Sequence, residues 1–167
     1  MRCRLKNGWS RQSKVLRPLH AQRPLLFCLR VIPDVIVSDI DAKQGEATAQ
    51  GIRDAGGDAR FAACNVADVE QVKALIAGIE ANCGRLDCAF NNAGIEIEQG
   101  KLFDGDEDVF DRIMDVSVKG VWQRMRFQVP LMLKNDGGST VNTASVAALV
   151  AALKMSIYAP VSTLYSV

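Results

Sequence analysis

The chain has 167 residues, enough for one ordinary domain, and its 49% hydrophobic and 23% charged residues are typical of a globular protein rather than a disordered one. The net charge of +1 hides an asymmetry: residues 1–33 carry eight Lys or Arg and no acid, whereas the remainder carries 12 basic and 19 acidic residues. An acidic body argues against nucleic acid as a partner. No apolar run approaches the length of a membrane span, so we expect no membrane association.

The cysteines indicate the compartment. They number five, and their spacing is not that of metal ligands. An odd count of this kind favours a reducing environment, so we expect a cytoplasmic protein without a metal site. The Arg-rich residues 1–33 leave open a mitochondrial presequence, although Pro18 and Pro24 would interrupt its amphipathic helix.

Strand and helix patterns alternate from residue 35 onward, which predicts a parallel sheet and a doubly wound α/β fold. Asp41 and Asp68 each precede a helical pattern and are predicted N-caps. The patterns predict strands at 35–39, 59–64, 86–90 and 140–144, and helices at 42–55, 69–83 and 106–134.

The stretch 86–94 joins a buried strand to a turn. It ends in Asn91, Asn92, Ala93 and Gly94, and Asn and Gly tolerate backbone conformations that other residues avoid. Ligands of open parallel sheets bind at the carboxyl ends of the strands, so we expect this tetrapeptide at the edge of a binding site. A plain strand-to-loop turn is the simpler interpretation of the tetrapeptide taken alone.

With its surroundings, the tetrapeptide resembles the short-chain dehydrogenase/reductase family, in which a strand of this kind ends in Asn-Asn-Ala-Gly. The order of elements agrees, and Ser145 and Tyr158 stand 13 residues apart, as the family's active-site Ser and Tyr do. The resemblance covers residues 35–159 and implies a Rossmann-like fold and an NAD(P)-dependent oxidoreductase acting on an alcohol or ketone. Ser145 would hold the substrate oxygen and Tyr158 would exchange its proton while hydride moves to or from the nicotinamide.

The resemblance also implies a set of cofactor contacts. Asp39 ends the second strand of the family's fold, where an acid binds ribose hydroxyls and repels a 2′-phosphate, so NAD is favoured over NADP. Capping of the following helix is the alternative role for Asp39. Asn65 stands where relatives usually have an Asp that reaches towards the adenine. The full cofactor set is Asp39, Asn65, Val66, Asn91, Ala93 and Gly94.

Two side chains depart from the family's catalytic pattern. Ser162 stands where the family has Lys, and Ser117 stands where it has Asn. The Lys holds the nicotinamide ribose and its charge favours an ionised phenol, but residues 160–167 contain no charged side chain. We therefore expect the chain as written to be inactive.

The N-terminal segment that binds the cofactor's pyrophosphate in the family departs further from the family's pattern. The family opens with a strand and a Gly-rich turn that binds pyrophosphate, whereas residues 1–33 contain a single glycine, Gly8. The run 25–32 cannot supply that strand, because only Pro33 and Asp34 separate it from the next one. We therefore predict an incomplete sheet that lacks the central first strand and the last strands, and this speaks against tight NAD binding.

Two functions remain open at this point. The chain is either an NAD-dependent oxidoreductase, or a non-catalytic truncated or frame-shifted remnant that acts at most as a binding module. We divide it into a basic atypical segment (1–33), a partial Rossmann-like domain (34–159) and an atypical tail (160–167). Homo-oligomers could form through the helix 106–134, whose Val118, Val121, Trp122 and Met125 either contact a second copy or face the core.

Overall fold

Five parallel strands pair side by side in a computed structural model that describes residues 3–7, 34–97, 101–149 and 157–158. The strands are β1 (Cys3–Asn7), β2 (Asp34–Asp39), β3 (Ala59–Ala63), β4 (Cys88–Asn91) and β5 (Ser139–Asn142). Their order in the sheet is β3-β2-β1-β4-β5. The helices are α1 (Ala42–Asp54), α2 (Val69–Cys83), α3 (Glu107–Met114) and α4 (Gly120–Leu133). The predicted doubly wound, Rossmann-like fold is confirmed.

The helix starts follow from local hydrogen bonds. The carboxylate of Asp41 accepts from the backbone N–H of Gln44 at 3.0 Å, and Asp68 accepts from the N–H groups of Glu70 and Gln71. Both predicted N-caps are therefore confirmed. Gly84 ends α2 in the left-handed conformation (φ +70°), which a residue with a side chain adopts only at a cost.

The strand β2 is buried on both faces, as its continuous apolar run predicts. Val35 and Val37 point to the face covered by α1, whereas Ile36 points to the face covered by α2 and α4. The first face is packed by Val35, Val37, Ala49, Ile52 and Ala59 with Phe61 beside them. The second face is packed by Ile36, Cys64, Val72, Leu75, Ile76, Ile79, Leu86, Ala89, Leu131 and Met132.

The prediction that the central first strand is missing is wrong. The strand β1 lies between β2 and β4 and pairs with both, Leu5 being opposite Ile36 on one side and Ala89 on the other. Residues 8–33 connect β1 to β2, more than the dozen or so that a parallel crossover needs. The sequence pattern does not predict this strand, because Arg4 and Lys6 interrupt the apolar run that is typical of a central parallel strand.

Two sequence predictions concern the region before β2 and the region after β5. The run 25–32, which the sequence analysis excludes as the family's first strand, lies outside the described residues. Within the part of the chain that the structure describes, no strand follows β5.

The predicted long helix 106–134 is two helices joined by a single π-helical turn, Asp115–Lys119. The N–H of Gly120 donates to the carbonyl of Asp115, five residues back. A Cβ on Gly120 would lie 3.1 Å from the Val66 side chain and 3.2 Å from its carbonyl oxygen, so the helix and the loop after β3 approach closely here. None of the helices described is long and apolar enough to cross a membrane.

Candidate functional site

The strand order reverses at β1. From β1 the chain moves outward to β2 and β3 on one side, and β4 and β5 lie on the other. Crevices at such a reversal, at the carboxyl ends of the strands, are where open α/β sheets bind ligands. The residues that follow β2, β4 and β5 therefore define the candidate site.

Asp39 is the acidic group on the β2 side of this reversal. It is only 7% exposed, and its Oδ1 atom accepts from the backbone N–H of Asp41 at 2.9 Å. Burial raises the pKa of Asp39 above its ordinary value of 3.8, and the backbone N–H groups of Asp41 and Ile40 partly oppose this. The N-cap of α1 is Asp41, whose carboxylate accepts from the backbone N–H and the side-chain amide of Gln44.

The loop after β4 lies on the other side of the reversal, and Ser117 holds it. The Ser117 hydroxyl oxygen accepts from the backbone N–H of Ile95 at 3.3 Å, and a Cβ on Gly94 would lie 3.6 Å from the same oxygen. The π-helical turn places this buried hydroxyl there. A single π turn inside an α-helix occurs frequently at functional sites.

The end of β5 is joined to the same loop. The N–H of Thr143 donates to the carbonyl of Asn91 at 3.0 Å, and the Thr143 hydroxyl donates to Asn92 Oδ1 at 2.8 Å. Ser145 follows as a half-buried residue whose Oγ accepts from the N–H of Ala147 at 3.2 Å. A hydroxyl that accepts in this way keeps its own hydrogen to donate, which suits a group that holds a substrate oxygen.

The family model described as short chain dehydrogenase matches residues 32–160. The chain belongs to the short-chain dehydrogenase family. It is 41% identical over 124 residues to an uncharacterised oxidoreductase of Bacillus subtilis, a match that covers 74% of this chain and 45% of that protein. It is 35% identical over 124 residues to a cyclohexanol dehydrogenase of an Acinetobacter species, covering 74% and 49% of the two proteins.

A solved protein structure is similar to this chain as well. It is a 7α-hydroxysteroid dehydrogenase complexed with NADH and 7-oxo glycochenodeoxycholic acid. It matches with a TM-score of 0.74 and 28% identity, over 80% of this chain and 51% of that one. The chain thus spans about half the length of the curated relatives it matches.

In this short-chain dehydrogenase fold, Asn65 and Val66 lie where β3 ends, but both have contacts within the protein. Asn65 Oδ1 accepts from the N–H of Ala67 at 3.1 Å, so the acceptor oxygen is used in a local turn. Val66 is buried, and its side chain and carbonyl lie close to Gly120.

The sequence analysis missed Arg124, a fully buried residue of α4. Its Nε donates to the carbonyl of Gly120 at 2.9 Å, and one terminal nitrogen lies 3.5 Å from the carbonyl of Ala93. Burial raises the pKa of the Cys64 thiol, and the Arg124 charge partly opposes that rise. The available signal was a charged residue between the apolar positions Val121 and Leu131 on the core side of the helix.

The structure thus places Asp39, the 91–95 loop, Ser117 and Ser145 along one edge of the sheet. Tyr158 is half-buried in the described pair 157–158. Ser162, at the family's Lys position, lies outside the described residues.

Proposed function

We propose that this edge binds NAD and belongs to an oxidoreductase site that interconverts an alcohol and a ketone. Asp39 carries the proposal: it is a buried carboxylate at the carboxyl end of β2, beside the reversal of strand order. Its carboxylate accepts from the backbone N–H groups of Asp41 and Ile40, and its remaining lone pairs can accept from ribose hydroxyls, while its charge repels a 2′-phosphate. The NADH complex of the hydroxysteroid dehydrogenase supports the same choice of cofactor class.

The proposed roles of the residues are those that the family resemblance implies. Asp39 would hold the adenosine ribose, and the loop with Ala93 and Gly94 would line the cofactor. The bound nicotinamide would supply or accept the hydride. Ser145 would donate its hydroxyl hydrogen to the substrate oxygen, and Tyr158 would give or take the proton at that oxygen.

Cofactor choice can be tested by titrating the chain with NADH and NADPH and comparing the two Kd values. We expect NADH to bind more tightly, and Asp39→Asn to reduce or reverse the ratio. Asp58→Asn is the matched control, because it removes the same charge from an exposed residue just before β3, at the opposite edge of the sheet. Equal effects of the two substitutions would contradict the role of Asp39.

A second candidate is cofactor binding without turnover. It is favoured by Ser162, which leaves the tail without the cation that would favour the ionised phenol of Tyr158. We expect no turnover from Ser162→Lys alone, because residues 8–33 have a single glycine, Gly8, whereas the family binds the pyrophosphate with a Gly-rich sequence. NADH formation from cyclohexanol, followed at saturating NAD, separates the candidates: turnover supports the enzyme, and binding without turnover supports the binding module.

Self-association through the predicted helix 106–134 stays a prediction. Of its candidate contacts, Val121 is buried, whereas Trp122 is 58% exposed and lies 5.4 Å from the Arg126 guanidinium. If copies pair here, Trp122→Ala should lower the mass measured by sedimentation equilibrium to that of one chain. A wild-type chain that sediments as a monomer would contradict this.

A further inference from the structure

Three side-chain amides, two of them buried and that of Asn142 half-buried, connect α4 to the ends of β4 and β5. Asn91 is 1% exposed and Gln128 is 0% exposed. The two form a reciprocal pair, in which Gln128 Nε2 donates to Asn91 Oδ1 at 3.0 Å and Asn91 Nδ2 donates to Gln128 Oε1 at 3.1 Å. The same Asn91 nitrogen donates to Asn142 Oδ1 at 2.9 Å. Both hydrogens of the Asn91 amide are used, so three elements fix its orientation.

The backbone around Asn91 carries the groups of the candidate site. Its carbonyl accepts from the N–H of Thr143, two residues before Ser145, and the loop 92–94 follows it directly. A rotation of the Asn91 side chain would break its bond to Asn142, which is also its register partner on β5. The position of the loop and that of Ser145 thus depend on the same amide.

We propose that Gln128 is a positioning residue for the active site. It acts through Asn91 to hold the loop 92–94 and the Ser145 end of β5 in one arrangement. The importance of this for catalysis rests on the function proposed above, whereas the coupling itself does not.

The chemistry of the pair explains why an amide is needed at position 128. A reciprocal pair requires one donor and one acceptor on each side, which an apolar side chain cannot provide. An ionised carboxylate has no donor and would bury a charge. A protonated carboxyl has both groups, so glutamic acid can replace glutamine only in its neutral form.

The test compares Gln128→Leu with Gln123→Leu in the full chain without cofactor. Gln123 is a matched control, because it lies on the same helix at 4% exposure and its Oε1 atom has no hydrogen-bond partner among the described residues. Amide hydrogen exchange is measured by NMR at Thr143 and Ile95, with the N–H of Cys64, which is bonded to the carbonyl of Asp39, as the reference.

In Gln128→Leu, we expect protection from exchange at Thr143 and Ile95 to fall about tenfold relative to Cys64. Local opening of the backbone there no longer has to break the hydrogen bonds between Asn91 and Gln128. In Gln123→Leu the ratio should not change. An unchanged ratio in Gln128→Leu, or an equal fall at all three amides, would overturn the proposal.

If Gln128→Leu does not fold, Gln128→Glu decides the question. Burial raises the pKa of a carboxyl group, so glutamic acid at this position should be neutral near pH 5 and preserve the pair. Protection at Thr143 relative to Cys64 should then match the wild type at pH 5 and fall about tenfold as the pH rises to about 8. A ratio that is the same at both pH values would overturn the proposal.

NADH titration of the same variants separates this inference from the proposed function. We expect the Kd for NADH to rise about tenfold in Gln128→Leu and to stay unchanged in Gln123→Leu. A wild-type chain that binds no NADH would contradict the proposed function, while the hydrogen-exchange ratios would still support or overturn the positioning role.

Discussion

The two faces of the sheet are built differently. The face under α1 is packed by apolar side chains, with Ile52 fully buried at its centre. The face under α2 and α4 has an apolar core too, but it also buries Asn91, Gln128 and Arg124, each at 0–1% exposure. These polar groups bond to each other or to the backbone near the carboxyl edge. Apolar packing therefore supports the fold, whereas buried polar groups fix the loops of the candidate site.

The largest expected effect lies on the apolar face. Ile52→Ala should lower the free energy of unfolding by about 3 kcal/mol, because it removes buried methyl groups and leaves a cavity. Ile52→Val should cost about 1 kcal/mol. Urea denaturation measures both losses. Hydrogen exchange at Thr143 relative to Cys64 should stay as in the wild type, and a changed ratio would show that the two faces are not independent.

The second effect lies on the polar face. Asn91→Leu should lower the free energy of unfolding by about 2 kcal/mol, because the Gln128 amide loses both of its hydrogen bonds while it stays buried. The double variant Asn91→Leu/Gln128→Leu should be more stable than Asn91→Leu alone, since the orphaned amide is gone. A double variant that is less stable than either single variant would contradict this account of the pair.

A third prediction concerns the contact between α1 and β3. A Cβ on Gly45 would overlap with the ring of Phe61, so Gly45→Ala should destabilise the chain by about 1–3 kcal/mol. Gly51 lies on the same helix and a Cβ there meets nothing within 4 Å, so Gly51→Ala should stabilise it by about 0.5–1 kcal/mol. Thermal unfolding followed by circular dichroism compares them, and shifts of the same sign would refute the prediction.

The smallest effect concerns pH at the edge of the site. Burial raises the pKa of Asp39 in the folded chain, so the folded state holds its proton to higher pH than the unfolded state does. The stability of the wild type relative to Asp39→Asn should therefore fall as pH rises from below 3.8 through the raised pKa. Urea denaturation of both proteins across this range gives the difference, and a difference that grows with pH would contradict the assignment.

Much of the fold could be predicted from short stretches of sequence. The run 35–39 predicts a doubly buried strand because Val35, Ile36 and Val37 are consecutive and apolar. Asp41 and Asp68 predict helix starts because their bonds reach only two or three residues along the chain. The central strand Cys3–Asn7 could not be predicted in this way. Its charged residues Arg4 and Lys6 interrupt the apolar pattern of a buried strand. Its pairing with β4 joins residues that are far apart in sequence.

Some residues of the candidate site could likewise be predicted from local sequence, and others could not. Asp39, the 91–94 turn and Ser145 could be named from the sequence, because their residue types and spacing are local and resemble a known family. The Asn91–Gln128 pair could not, because it depends on how α4 crosses the ends of β4 and β5.

The sequence by itself therefore determined the alternation of strands and helices, the helix caps and the family to which the chain belongs, since periodicity, capping and motif spacing are properties of neighbouring residues. Tertiary structure decided the strand that fills the centre of the sheet, the π-helical turn that carries Ser117 to the 91–95 loop, and the amide network under the candidate site. These features depend on hydrogen bonds between distant residues, and only the packed sheet brings those residues within bonding distance.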